Sequence, residues 1–373
     1  MDLLLSYCMI VKNEEQYLEN CLRSVRQVAD ELVIVDTGST DKTKEICTRY
    51  SAKVYDFPWR ESFADARNFG IAKAAGQWIL WLDADEELTV ENIAEFKKAL
   101  ASTENDLWLI PLINYYGDFP ADRNRAYLFA SHRLFRNHKG FTFIGNIHEH
   151  LDLGQIPGYS LPEIMPHSQI HHYGYMEPIT QSKRKHERNV RLLKKETQQP
   201  DYSPWIDYHL ASEYYRAKQY HESFTQVNAA ISRFLQNKQL PPSLLYKLKY
   251  DLLITLGCFD GAWPGIEHAL ALYPDYVDLH FYKGLILYAK ELFNEAIAAF
   301  QHCLELGETR THYLTMVGYG GYQAWYFIGR CCEDSGNLPD AVQAYTQAIV
   351  LNPDYPEAHS RLLKLGKKPT ENN

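Results

Sequence analysis

The chain of 373 residues is too long for one ordinary domain and, at 46% hydrophobic and 13% aromatic, carries apolar material for two or three packed cores. Its formal net charge of −9 argues against nucleic acid as the principal partner, since phosphate binding leaves a basic footprint. Seven Cys without a CxxC pair, no run near the ~20 apolar residues of a membrane span, and an apolar Met1–Met9 without a basic flank or cleavage site point to reduced thiols, no leader and a cytoplasmic location.

In chain order, Leu3–Val11 reads as a buried first strand. A helix is expected from about Glu15 to Val28, where Leu18, Cys21, Leu22 and Val25 fall at i, i+3, i+4 and i+7 on one face. Leu32–Val35 is a second strand, ended by the turn formers and helix caps Asp36-Thr37-Gly38-Ser39-Thr40-Asp41. A helix over Lys42–Tyr50, a strand over Lys53–Tyr55, a helix over Ser62–Ala74 and a strand over Trp78–Leu82 follow. Strands separated by helices of this length predict an α/β domain with a mostly parallel sheet and flanking crossover helices. Ligands in such sheets bind beyond the carboxyl ends of the strands.

After about Pro200 the pattern becomes helical and repeats. Four units start near Pro204, Ser243, Val277 and Tyr322, at intervals of 39, 34 and 45 residues. The last carries Trp325, Ile328, Gly329, Ala341, Tyr345, Ala348 and Pro353 at tetratricopeptide offsets. The third matches through Gly284, Ala296 and Phe300, the second through Ala262, Ala269 and Pro274, and the first through Leu210, Ala211, Tyr214 and Ala230. The alternative is a generic helical bundle, against which four concordant units stand. An insertion over Gly307–Gly321, with Gly318, Gly320 and Gly321, suggests a mobile or tightly turned loop. Stacked helical repeats form a solenoid with a concave binding surface, usually for peptide or protein. Lys183, Arg184, Lys185, Arg188, Arg191, Lys194 and Lys195, just before the repeats, read as a solvated helix face. The expected organisation is an α/β domain over 1–178, a linker helix over 179–202, repeats over 203–366 and a disordered tail over 367–373.

Three acidic clusters follow the strands: Lys12-Asn13-Glu14-Glu15, Asp36–Asp41 and Trp81-Leu82-Asp83-Ala84-Asp85-Glu86. A D-x-D after an apolar strand sets two carboxylates at an exposed sheet edge. Alone it is a weak metal signal, and three clusters strengthen it.

On these residues the chain resembles family-2 glycosyltransferases of the GT-A fold. The matching segments are Met9-Ile10-Val11-Lys12-Asn13-Glu14-Glu15, Val35-Asp36-Thr37-Gly38-Ser39-Thr40-Asp41-Lys42-Thr43, Ala64-Asp65-Ala66-Arg67-Asn68-Phe69-Gly70 and Leu82-Asp83-Ala84-Asp85, in family order. Farther on, Phe135-Arg136-Asn137, Gly145-Asn146-Ile147-His148-Glu149 and His172-Tyr173-Gly174-Tyr175 resemble a subgroup. It includes the peptide S-glycosyltransferases of glycosylated bacteriocins, several of which carry tetratricopeptide repeats, and lipopolysaccharide-core glucosyltransferases.

The resemblance implies a UDP-sugar donor, Mn²⁺ or Mg²⁺, and inversion. Asp85 would hold the metal, Asp83 the ribose or a metal-bound water, and Asp36 the uracil N–H. Val11, Asn13, Glu14 and Ala84 would line the nucleotide sugar. Arg67 would approach the diphosphate, where a fork of donors suits phosphate oxygens. Its bland alternative is a salt bridge to Asp65 or Glu61. Glu149 is the candidate base, with Asp118, Asp122 and His148 left open. His172 resembles the late His that closes the metal site, with His171 as the fallback. A zinc hydrolase built on His148, His150, His167, His171, His172 and Glu149 is the rival chemistry, but no H-E-x-x-H spacing is present. The acceptor expected is a peptide or protein presented by the repeats. The alternatives are a cell-envelope glycan or lipid-linked acceptor, or a non-catalytic scaffold with a degenerate first domain. A homodimer is left open.

Overall fold

The computed structural model describes residues 3–155, 162–177, 179 and 185–366. The expected tail 367–373, together with Lys183 and Arg184 of the basic cluster, lies outside them. The chain divides into two compact units, 1–195 and 196–373.

In the first unit, the apolar run at Leu5–Val11 forms β1, with parallel β2 (Glu31–Asp36) on one side and parallel β4 (Trp78–Trp81) on the other. Strand β3 (Lys53–Asp56) extends the same parallel set beside β2. Helix α1 (Leu18–Val25) buries Leu18, Cys21, Leu22 and Val25, the four-residue stripe expected of it. It starts later than Glu15 because the N–H groups of Glu14 and Glu15 are engaged elsewhere, donating to Thr43 Oγ1 at the start of the next helix and to Asp41 Oδ2 in the loop after β2. Helix α2 spans Thr43–Arg49, and α3 spans Phe63–Ile71 with the Ser62 hydroxyl accepting Asp65 N–H as its N-cap.

Beyond β4 the sheet is mixed. Strand β5 (Glu86–Val90) follows directly, and α4 (Ile93–Ser102) leads to the long strands β6 (Leu107–Gly117) and β7 (Ala126–Arg136). Two short strands, β8 (Phe143–Ile144) and β9 (His150–Leu151), pair with each other, and β10 (Glu163–Ile164) and β11 (Ser168–Met176) pair with β6. The order is β3-β2-β1-β4-β7-β6-β11-β5. Strand β7 runs antiparallel to β4 and β6, and β5 antiparallel to β11. Strands β4 and β5 stand four places apart in this order, yet only Leu82–Asp85 joins them. Five Cα steps reach at most ~18 Å, so β7, β6 and β11 must curl round to bring β5 back beside the end of β4. That curl sets Asp83 and Asp85 at the turning point.

The second unit is a series of helix pairs: Trp205–Arg216 with Tyr220–Gln236, Ser243–Thr255 with Phe259–Ala262 and Ile266–Leu272, Val277–Ala289 with Phe293–Leu306, and Tyr322–Asp334 with Leu338–Leu351. Pro356–Lys364 closes the series. The second pair's return helix is broken at Trp263-Pro264, where Pro supplies no N–H to the ladder. Small residues sit where helices touch: a Cβ on Gly284 would fall 2.5 Å from the Phe300 ring, and one on Gly329 2.6 Å from the Tyr345 ring. The insertion over 307–321 is tightly turned. Glu308 Oε1 accepts the N–H groups of Gly318 and Gly320, and Tyr313 stacks on Tyr276 at 4.3 Å.

Candidate active site

Asp36 ends β2 buried, and its Oδ1 accepts the Gly38 and Ser39 N–H groups at 2.9 and 2.7 Å. Beside it, Asn13 Oδ1 accepts Thr40 N–H at 2.8 Å, Glu15 Oε2 accepts Lys42 N–H at 3.0 Å, and the Val11 carbonyl accepts Thr37 N–H at 2.9 Å. The acidic clusters after β1 and β2 therefore interlock with each other through backbone N–H groups.

Charge concentrates instead at the turn after β4. Arg67, 6% exposed on α3, donates Nε to Glu149 Oε1 at 2.6 Å and Nη2 to Asp83 Oδ1 at 2.7 Å. Burial opposes its charge, and Asp83 and then Glu149 outweigh that penalty. Glu61 is not its partner but pairs with Arg191 and Lys195 at 2.5 and 2.8 Å, and no ion pair joins Arg67 to Asp65 among the described residues. The helix Lys185–Glu196 thus buries Leu192 and Leu193 while its basic residues Arg188, Arg191, Lys194 and Lys195 are exposed, Arg191 and Lys195 paired with Glu61 and Arg188 lying over Phe63. Asp83, with a side chain 38% exposed, is held below the usual carboxylate range: burial raises it, but Arg67 and then Arg133 prevail.

Asp85 is buried, not an exposed edge group as the D-x-D pattern suggested. Its Oδ1 lies 3.8 Å from His172 Nε2. His172 Nδ1 meets Asn114 Oδ1 at 2.8 Å, which orients the ring with its Nε2 edge toward Asp85. A Cβ at Gly174 would lie 2.9 Å from Asp85 Oδ2 and collide with His172 Nε2, so only Gly leaves this cradle open. Two ligands ~2.1 Å from one hard cation sit roughly 3–4.2 Å apart, and the 3.8 Å separation fits a shared ion. His171, the fallback, points to the other face of β11, where its Nδ1 meets the Tyr115 hydroxyl at 3.0 Å and the two rings stack.

The histidines do not converge on a zinc cage. His167 pairs with Glu91 at the surface, and no three His, Cys, Asp or Glu side chains gather as a cation cage among the described residues. A cation shared by Asp85 and His172 alone would keep room for water and phosphate oxygens, as Mg²⁺ and Mn²⁺ favour. Of the other base candidates, Asp118 and Asp122 are exposed, and Asp122 Oδ1 caps the turn at Asn124. Glu149 is joined to the D-x-D through Arg67. Sequence reasoning missed Asn114, Arg133 and the role of Gly174. A Gly inside a strand signals close approach of another group and was a usable signal.

The first unit is thus a GT-A-like curled mixed sheet with flanking helices and a D-x-D at its turning point, and the second a helical-repeat solenoid. Comparison with known families agrees. The model described as Glycosyl transferase family 2 matches residues 6–160, and two tetratricopeptide-repeat models match 251–309 and 329–362. The chain therefore carries a family-2 glycosyltransferase domain followed by tetratricopeptide repeats. Among curated relatives, a TPR repeat-containing protein of Synechococcus elongatus is 38% identical over 46% of this chain and 42% of its own length. The SPbeta prophage-derived glycosyltransferase SunS of Bacillus subtilis is 29% identical over 53% of this chain and 46% of its own. An uncharacterized glycosyltransferase of Rickettsia bellii is 38% identical over 28% and 35%. The chain thus spans less than half the length of each. No helix among the described residues is long and apolar enough to cross a membrane.

Proposed function

We propose that the first unit transfers a sugar from a UDP-sugar, with inversion, to a peptide or protein acceptor that the repeats present. The observation that carries this reading is the meeting of two pairs at one four-residue connection, Asp83 on Arg67 and Asp85 beside His172. Asp85 and His172 are the residues that would hold Mn²⁺ or Mg²⁺, which when bound would supply Lewis-acid neutralisation of the leaving diphosphate. Arg67 turns its donors from Asp83 toward diphosphate oxygens, a fit for its planar fork. Asp83, freed in part, would accept hydrogen bonds from the ribose hydroxyls or from a water on that cation. Asp36 accepts the uracil N–H, with Val11, Asn13, Glu14 and Ala84 lining the nucleotide sugar. Glu149 keeps Oε1 on Arg67 and uses Oε2 to take the acceptor proton, so that the acceptor attacks opposite the leaving group. The repeats support the acceptor half of the reading, since stacked helical pairs present extended surfaces that bind peptides and proteins.

The test is incubation of the full chain with a panel of nucleotide sugars and Mn²⁺, following release of nucleoside diphosphate, with NMR of the product anomer. UDP release from one UDP-sugar and an inverted product are expected. Release from none of the panel would contradict the reading.

A further inference from the structure

Arg133 sits where β7 changes register against β6. Trp108 pairs with Leu134 but Leu109 with His132, so Arg133 is the extra residue of a β-bulge. Bulges re-aim side chains, and this one turns a guanidinium into the protein, 7% exposed, with its centre 3.8 Å from the Trp81 ring centroid. The same indole carries Arg67 at 4.3 Å. Arg133 Nη2 donates to Glu86 Oε1 at 2.5 Å, and Glu86 Oε2 accepts the backbone N–H of Asp83 at 2.8 Å. Asp83 is therefore gripped twice, its backbone by Glu86 and its carboxylate by Arg67. Arg133 Nε and Nη1 are buried without hydrogen-bond acceptors among the described residues. Burying a charge with unused donors is costly, and a buried pair is often no better for stability than apolar packing. Stability alone is a poor account of this pair.

We propose that Arg133 and Glu86 form a positioning brace for the Asp83-Ala84-Asp85 turn. Neither residue touches donor or acceptor. The brace fixes the backbone from which Asp85 reaches toward His172 and so sets the spacing a divalent cation bridges. This rests on the reading of Asp85 and His172 as cation ligands. The chain of contacts runs from the bulge through Arg133 to Glu86, then to Asp83 N–H and on to Asp85, with Trp81 as the platform that both arginines share.

The experiment measures Mn²⁺ affinity of the full chain by the electron paramagnetic resonance of free Mn²⁺, with UDP present, for the native protein and for Arg133→Met, Arg133→Lys, Glu86→Gln and Asp85→Asn. Supporting groups behind a metal ligand typically shift affinity by about 10–100-fold. Arg133→Met is expected to weaken Mn²⁺ binding by that factor, with Arg133→Lys intermediate and UDP binding in chelator unchanged. Should Arg133→Met fail to fold, Glu86→Gln decides, because an amide offers one acceptor where two donors need one. Native Mn²⁺ affinity in Glu86→Gln and in any folded Arg133→Met, with binding lost in Asp85→Asn, overturns the brace and leaves the site reading standing. Absence of Mn²⁺ binding in the native protein overturns the site reading and the brace with it.

Discussion

Asp85 and Gly174 make the most exacting demands of any residues at the site. Asp85 is buried against His172, so Asp85→Asn, which keeps volume and shape, is the right probe. Loss of an aligned charge at a developing anion typically costs about 100–1,000-fold in rate. We expect that loss in sugar transfer with thermal stability within a few degrees of native, measured by kinetics and calorimetry side by side. Wild-type transfer by Asp85→Asn would remove Asp85 from the metal. Gly174→Ala places a methyl group against both Asp85 Oδ2 and His172 Nε2. It should cut Mn²⁺ affinity about 10-fold or more while nucleotide binding in chelator persists, a split that titration calorimetry reads. At this scale Asp36, Arg67, Asp83, Asp85, Glu149 and His172 were all legible as candidates. Their partners were not, because Asn114 meets His172 across 58 positions of sequence and Arg133 reaches Glu86 across 47. Neither spacing has a local signature.

Among elements, those up to Trp81 follow the periodicity of the sequence: β1, β4 and the helices α1–α3 are shorter than expected where loops take the backbone, whereas β2 and β3 extend past the expected ends to Asp36 and Asp56. The mixed half of the sheet was less legible. Strand β6 contains Pro111, which in sequence demotes a central strand, yet β6 lies between β7 and β11. Pro111 is accommodated because it falls between Trp108–Leu109, paired with β10, and Leu112, where pairing with β11 begins. The repeat helices were legible through their small residues. Gly329→Ala would drive a methyl into the Tyr345 ring at 2.6 Å and, as overpacking, should destabilise the second unit by about 1–3 kcal/mol. The check is denaturation followed by tryptophan fluorescence, with nucleotide binding by the first unit unchanged. Equal stability of mutant and native protein would mean that the helix pair has slack there.

For the whole molecule, the chemistry proposed here uses residues of the first unit alone, all before Lys195. A chain cut after Gln199 should therefore bind UDP and hydrolyse a UDP-sugar slowly, while its acceptor KM rises steeply. Holding an acceptor beside the donor replaces a bimolecular encounter, an advantage that can reach several kcal/mol. Donor affinity by calorimetry and acceptor kinetics on both chains provide the check. If the shortened chain glycosylates its acceptor as efficiently as the full one, the repeats serve some other contact.

Metal dependence of donor cleavage in the full chain bears most directly on a cation held by Asp85 and His172. After exhaustive treatment with chelator, UDP release from the preferred UDP-sugar should fall to background, and added Mn²⁺ or Mg²⁺ should restore it in the native protein but not in Asp85→Asn. Full activity in excess chelator, or equal restoration in Asp85→Asn, would contradict a cation held between Asp85 and His172 and leave Arg67 to meet the diphosphate alone.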